Sequence, residues 1–213
     1  MSAFSDLDGL IESIWQRAKG RNRIIIAIAG PPGAGKSTLS DRLIAVFAES
    51  HGEDVLAVMP MDGYHFDNAI LDARGQRDRK GAPYTFDVDG YAAMLERVRK
   101  GHGDDIAVPV FDREHDLSRG SARIIKAQTR IVVTEGNYLL LDEDPWRHLR
   151  PLFDLSVFLS VPQNELERRL IERWLHHGHS HEDARGRALL NDIPNAEHVL
   201  ERSNAADVVI TNP

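Results

Sequence analysis

The join at residue 30 constrains this chain more than any other feature: an apolar, mostly β-branched run, Ile24 to Ala29, passes straight into GPPGAGKS, Gly30 to Ser37. A run apolar on both faces reads as a central strand of a parallel sheet. Beyond it, Leu39, Leu43, Val46 and Phe47 share one face of a helix that opens at Lys36. The residues between match GxxxxGK[ST] without departure, in the strand, loop and helix setting that gives that pattern its meaning. Glycines let successive backbone N–H groups turn inward around phosphate oxygens, and the helix N-terminus adds unpaired donors and a favourable dipole. Gly30, Pro31, Pro32, Gly33, Ala34, Gly35, Lys36, Ser37 and Thr38 are therefore the expected cradle for the phosphates of ATP. Lys36 would supply a point charge there and the Ser37 hydroxyl a ligand for Mg2+. The competing reading is a Gly-Pro turn that matches by chance.

The rest of the chain repeats the alternation. Strands are expected at Val55–Met61, Ile106–Val110, Ile131–Thr134, Leu155–Val161 and Val208–Thr211, with helices at Gly90–Lys100, Glu165–Leu175 and Asn195–Arg202. Phe4, Leu7, Leu10, Ile11, Ile14 and Trp15 recur at helical spacing, so residues 1–20 read as an amphipathic helix. The fold class that follows is α/β, one parallel sheet covered by helices on both faces. At 213 residues the chain is sized for one domain, 1–213. Two polar stretches, Asp62–Asp89 and Asp112–Arg123, break the pattern and read as long loops of the kind that carry function.

Charge narrows the partners. The net charge of −7 repels polyanions, so nucleic acid is not an expected partner. Membrane insertion is not expected either, because the apolar runs are strand-sized. No Cys is present, which excludes disulfides and thiolate metal sites. The start, MSAFSDLDGL, has no basic region ahead of an apolar run, and a cytoplasmic address is the expectation.

A phosphate loop establishes nucleotide binding and no more. The NKxD sequence by which Ras-type GTPases read guanine is missing, and in IVVTEGN the strand ends at Glu135 without the preceding Asp of motor-type ATPases. Small-molecule kinases are the class that remains. The second strand ends in MDGYHF, which puts Asp62 at the carboxyl end of the sheet, the edge where open α/β sheets bind ligands. A carboxylate there can take the proton of an attacking hydroxyl; an Asp-Gly turn with no catalytic part is the alternative.

The linked set MDGYHF, RDRKGAPYTFDVDGY (77–91), PVFDREHD (109–116) and VVTEGNYLLL (132–141) resembles the phosphoribulokinase, uridine kinase and bacterial pantothenate kinase family, and within it the branch described as fructose-transport-system kinases. The resemblance implies the P-loop NTPase fold with a helical lid at 174–190, Mg-ATP as donor, and as acceptor a hydroxyl of a small metabolite such as fructose, a nucleoside or a pantothenate-like compound. It implies Asp62 as the catalytic base and Glu135 as the acidic residue at the metal and substrate site. It makes 62–89 the substrate loop. Tyr64, His65, Arg77, Lys80, Tyr84 and Phe86 are then expected substrate contacts, joined by Arg113 and His115. The loop's side chains suit a polar acceptor, anionic ones included, with cations for charge and rings for an apolar face, while the neighbouring Asp78 and Asp87 leave structural ion pairs as the other reading.

In the lid helix QNELERRLIERWLHHG, Arg169 and Arg173 lie four apart, hence on one face, and by the same resemblance would neutralise charge developing on the phosphates. Glu165 with Arg169 also suits an ordinary i,i+4 pair. His176, His177, His179 and His181 crowd together, yet their spacing fits no zinc pattern, so they read as a lid tip. SNAADVVITNP resembles the family's last strand and the loop before it, which passes near adenine and makes Asn204 a nucleotide candidate. Two rival functions stay open: a nucleoside monophosphate kinase, and an ATP-binding sensor or assembly factor that hydrolyses ATP slowly. A homodimer is allowed by the sequence and not required.

Overall fold

A computed structural model describes residues 6–101, 103–176, 178 and 180–212. Five strands form one parallel sheet in the order β2 (Leu56–Val58), β5 (Ile131–Gly136), β1 (Ile24–Ala29), β6 (Leu155–Ser160) and β7 (Val208–Thr211). Because side chains alternate across a strand, β1 serves both faces at once. Ile25, Ala27 and Ala29 enter one core with Tyr91, Leu95 and Val98 of α4 (Val88–Lys100). Ile24, Ile26 and Ile28 enter the other with Leu10 and Ile14 of α1 (Leu7–Ala18) and Leu39, Leu43 and Phe47 of α2 (Lys36–His51). Each isoleucine fully buried in this way contributes about 2 kcal/mol. Phe4, counted above with the first helix, lies outside the described residues.

The other elements are α3 (Asn68–Ala73), α5 (Gln163–His176), α6 (His181–Arg187) and α7 (Ile193–Arg202), with a π-helical turn at Ala188–Asp192 between the last two. Two expectations need correction. Residues Ile106–Val110 do form a strand, β3 (Ile106–Asp112), but it lies outside the parallel sheet. It pairs antiparallel with β4 (Leu117–Ile125), so most of the stretch read as a loop at Asp112–Arg123 is the turn and second strand of a hairpin. The strand is concealed because nearly all of β4 faces solvent, and only Ile125 is buried. Likewise the stretch Asp62–Asp89 holds α3, whose start is capped by the Asp67 side chain accepting from Ala69 N–H at 2.8 Å.

At the carboxyl edge of the sheet β1, β2 and β5 deliver their following residues to one place. Ile28 stands in register with Glu135, and β2 leads into the 3-10 turn Met61–Tyr64 that carries Asp62. Gly63 lets that turn lie against the hairpin: a Cβ there would come within 2.6 Å of the Pro109 carbonyl oxygen.

Candidate active site

The phosphate loop is held from below and above. Gly30, at φ 149°, passes so close to β6 that a Cβ would sit 2.8 Å from the Leu159 carbonyl oxygen. Gly33 and Gly35 hold φ of 80° and 89°, the left-handed region that gives the loop its inward turn. From above, α5 lays Leu170 and the Cβ of Arg169 next to Gly33. From the last strand's end, the buried Asn212 donates to the Ala34 carbonyl at 2.9 Å.

Lys36 is buried, and its ammonium donates to the carbonyls of Gly30 (3.0 Å) and Pro31 (2.9 Å) and to Asn137 Oδ1 (2.7 Å). Burial lowers its pKa to about 8, although Glu135 and Asp62 pull it back up. Ser37 Oγ donates to Glu135 Oε1 at 3.2 Å. A hydroxyl beside a carboxylate is an all-oxygen donor set, the kind that Mg2+ takes, so Ser37 and Glu135 fit the metal of a nucleotide complex.

Asp62 keeps one quarter of its side chain exposed and accepts from Arg113 Nη2 at 2.7 Å. Burial pushes its carboxyl up, but His65, Arg113 and Lys36 outweigh this and hold it below the usual carboxylate range. Burial moves Glu135 the other way, upward, reinforced by the charge of Asp62 and opposed by Lys36 and the Ser37 hydroxyl. The two neighbouring carboxylates thus diverge, Asp62 held in its charged form and Glu135 the easier of the two to protonate. Ser37, Glu135, Asp62 and Arg113 share the wall of one cavity of about 380 Å³ between α2, the end of β2 and the hairpin.

The remaining expected contacts do not converge on that cavity. Tyr64 and Phe86 are core residues, 8% and 4% exposed, with the Phe86 ring edge-on to Tyr138 and Trp146. Their aromatic character serves packing. His65 is sandwiched between the rings of Phe86 and Phe111 and bonds the Asp62 carbonyl through Nδ1 at 2.7 Å, so it shapes the Asp62 turn from behind. Arg77 and Lys80 spend their charge on Asp116 at the hairpin turn, at 3.3 and 3.0 Å, which is the structural ion-pair reading. His115 sits exposed at the same turn beside Asp112, and Tyr84 is half exposed on its own 3-10 turn. Asn204 is exposed, with its backbone N–H on the Leu140 carbonyl; Asn212, eight residues on, is the asparagine that touches the phosphate loop.

On α5, Arg169 Nε donates to Glu165 at 2.7 Å. Arg173 Nη2 donates to Asp192 at 3.0 Å, and its charge is close enough to Lys36 to lower that group's pKa. Asp192, 6% exposed, also accepts from Trp174 Nε1 at 2.7 Å. His177 and His179 lie outside the described residues; His176 Nδ1 bonds the Glu172 carbonyl, and no metal-binding cluster occurs among the described residues. Sequence reasoning missed Asn137, Asp192 and Asn212. Asn137 was within reach, since it directly follows the Glu135-Gly136 strand end in TEGNY.

A phosphate loop ahead of α2, a parallel sheet and a carboxylate beside the loop define a kinase of the P-loop NTPase fold. The chain belongs to the phosphoribulokinase / uridine kinase family, whose model matches residues 25–212, and is a small-molecule kinase with a hydroxyl acceptor. It is 34% identical over 196 residues to the uncharacterized protein YggC of Escherichia coli K12, covering 92% of this chain and 80% of that one. It is 30% identical over 212 residues to a Schizosaccharomyces pombe protein provisionally named a uridine kinase, covering 97% and 90%. Among solved structures, a protein from Silicibacter sp. TM1040, provisionally assigned as a fructose transport system kinase, superposes with a TM-score of 0.89 at 38% identity over 96% of this chain and 98% of that one. The family generally uses ATP with Mg2+. No helix among the described residues is long and apolar enough to cross a membrane.

Proposed function

We propose that the protein transfers the γ-phosphoryl group of ATP to an alcohol that enters the cavity between α2 and the β3–β4 hairpin, with Asp62 as the general base. The observation that carries this reading is that Asp62 shares one cavity wall with Ser37 and Glu135, so a hydroxyl on Asp62 faces the end of the phosphate loop. Lys36, the amides of residues 30–37 and the start of α2 hold the triphosphate, with Asn212 bracing the loop at Ala34. Ser37 and Glu135 hold Mg2+, which when bound offsets charge on the phosphate oxygens. Asp62 takes the proton as the acceptor oxygen bonds to the γ-phosphorus and the bond to the bridging oxygen breaks, leaving ADP. Arg169, whose Cβ lies beside Gly33, and Arg173, whose charge reaches Lys36, supply the added positive charge that favours the transition state. Positioning and fixed charge do most of the work.

The test is an ADP-release screen with Mg-ATP across sugars, nucleosides, pantothenate-like and glycerate-like alcohols and nucleoside monophosphates, with the product located by mass. A phosphorylated alcohol supports the proposal. Phosphorylation of monophosphates alone would move the assignment to a nucleotide kinase, and slow ADP release that no acceptor stimulates would favour a sensor.

A further inference from the structure

The cavity has walls of opposite character. At its loop end Glu135 is held by Ser37 and Asp62 by Arg113. On the hairpin wall Arg123 donates to the Val58 carbonyl at 2.9 Å, and among the described residues no carboxylate lies within ion-pair distance of it. It is half-buried, and it also borders a second depression of about 330 Å³ on the same face of the hairpin. A partly desolvated guanidinium with unspent donors and no counter-ion, facing open space, is a recognition group for carboxylate or phosphate. Arg113 adds to this when the site works. It is 63% exposed, with Asp62 as its one carboxylate partner among the described residues and the Phe111 ring 5.9 Å from its guanidinium, so an acceptor hydroxyl that engages Asp62 loosens a second guanidinium in the same cavity. Across from them, α2 presents the buried Ser40, whose hydroxyl has no hydrogen-bond partner among the described residues, and Asp41 at the exposed rim. An unsatisfied buried hydroxyl and a free carboxylate suit the hydroxyl groups of a ligand.

From these walls we infer that the acceptor is a hydroxylated acid. Its carboxylate or phosphate lies against Arg123, with Arg113 swinging to join it, and its hydroxyls face Ser40, Asp41 and Asp62. This inference rests on the kinase reading above and narrows its substrate class.

Matched pairs test it: glycerate against glycerol, gluconate against glucose, and fructose 6-phosphate against fructose, each assayed for ADP release with wild type, Arg123→Gln and Arg123→Lys. Two of the pairs contrast a carboxylate with a neutral alcohol and one contrasts a phosphate, so the arms separate the two sources of negative charge. The expected result is turnover of an acidic member, with its KM raised roughly 10- to 100-fold in Arg123→Gln, the loss of one charge-assisted hydrogen-bonding group. Arg123→Lys should recover part of this, and the KM for ATP should move far less. A purely structural Arg123 would instead depress acidic and neutral members alike, which overturns the inference. Preference for a neutral member also overturns it while leaving the kinase reading intact. If no member is phosphorylated, thermal melting with Mg2+ and a non-hydrolysable ATP analogue decides: a rise in Tm caused by an acidic member in wild type and lost in Arg123→Gln supports the acid site, and no rise refutes it.

Discussion

Asn137 Oδ1 accepts a 2.7 Å hydrogen bond from the Lys36 ammonium, joining the charge of the phosphate loop to the residue just beyond the end of β5. The bond aims a flexible four-carbon stem that would otherwise sample several rotamers. Asn137→Ala should weaken ATP binding about 10-fold, a loss typical of one hydrogen bond to a charged group. Titration of the protein with Mg2+ and a non-hydrolysable ATP analogue measures it, and an unchanged Kd would remove Asn137 from the nucleotide site.

The same ammonium sets a pH dependence. With its pKa lowered by burial to about 8, Lys36 is part neutral in the free protein above that pH, while a bound triphosphate favours the charged form. Binding above pH 8 therefore takes up a proton, and ATP affinity falls as pH rises. Calorimetry at pH 9 in two buffers of different ionisation heat should show that uptake, and Lys36→Met should abolish it. For folding the sign is opposite: between about 8 and the ordinary lysine value of 10.5 the unfolded chain holds more protons, so this group's contribution to stability grows with pH.

Asp62→Asn retains the shape of the carboxylate and its bond to Arg113 in part, but loses the proton acceptor. Turnover should drop by roughly 10²–10⁴ with ATP binding largely kept. Single-turnover rates beside nucleotide titration would separate the two effects, and a variant with near-normal turnover would dismiss Asp62 as the base.

Asp192 joins Arg173 and Trp174 through one buried carboxylate oxygen. Asp192→Asn should free Arg173 from its place above the loop and lower kcat about 10-fold, near the strength of one charge-assisted bond. The indole N–H of Trp174 loses the same partner, so the tryptophan emission should change in parallel. A fall in kcat without any change in emission would place the effect elsewhere.

Asp154 is a purely structural test. Its carboxylate accepts the Ile25 N–H at 2.8 Å and pairs with Arg21 and Arg99, at 2.8 and 2.9 Å. Asp154→Ala leaves that strand N–H without its partner and should lower the unfolding free energy by about 2–3 kcal/mol, read from denaturant midpoints, with the KM for ATP unaltered.

The central strand and the loop after it were legible because their signals are local: Ile24 to Ala29 is apolar at every position, and the glycine pattern needs only consecutive residues. Lys36 was legible as part of that loop pattern, and Asp62 and Glu135 because each follows or ends a readable strand. The hairpin escaped because a strand facing water on both sides has no alternation to detect, as Ser118 to Arg123 shows. Phe86 and Tyr64 misled because an aromatic residue in a polar stretch gives no sign of which way it turns; the folded chain turns both inward. Arg77 and Lys80 depend on Asp116, and Arg173 on Asp192, pairings across 39, 36 and 19 residues that no local pattern encodes.

The π-helical turn at Ala188–Asp192 holds the segment Arg79–Lys80 as well. The Leu190 carbonyl accepts from Arg79 Nη1 at 2.8 Å and Asn191 Nδ2 donates to the Lys80 carbonyl at 3.1 Å. The two segments are thus stitched by two threads, and shifting one tugs on the other. Asp192 belongs to the same turn, so a pull on Arg79 reaches the carboxylate that anchors Arg173 and Trp174.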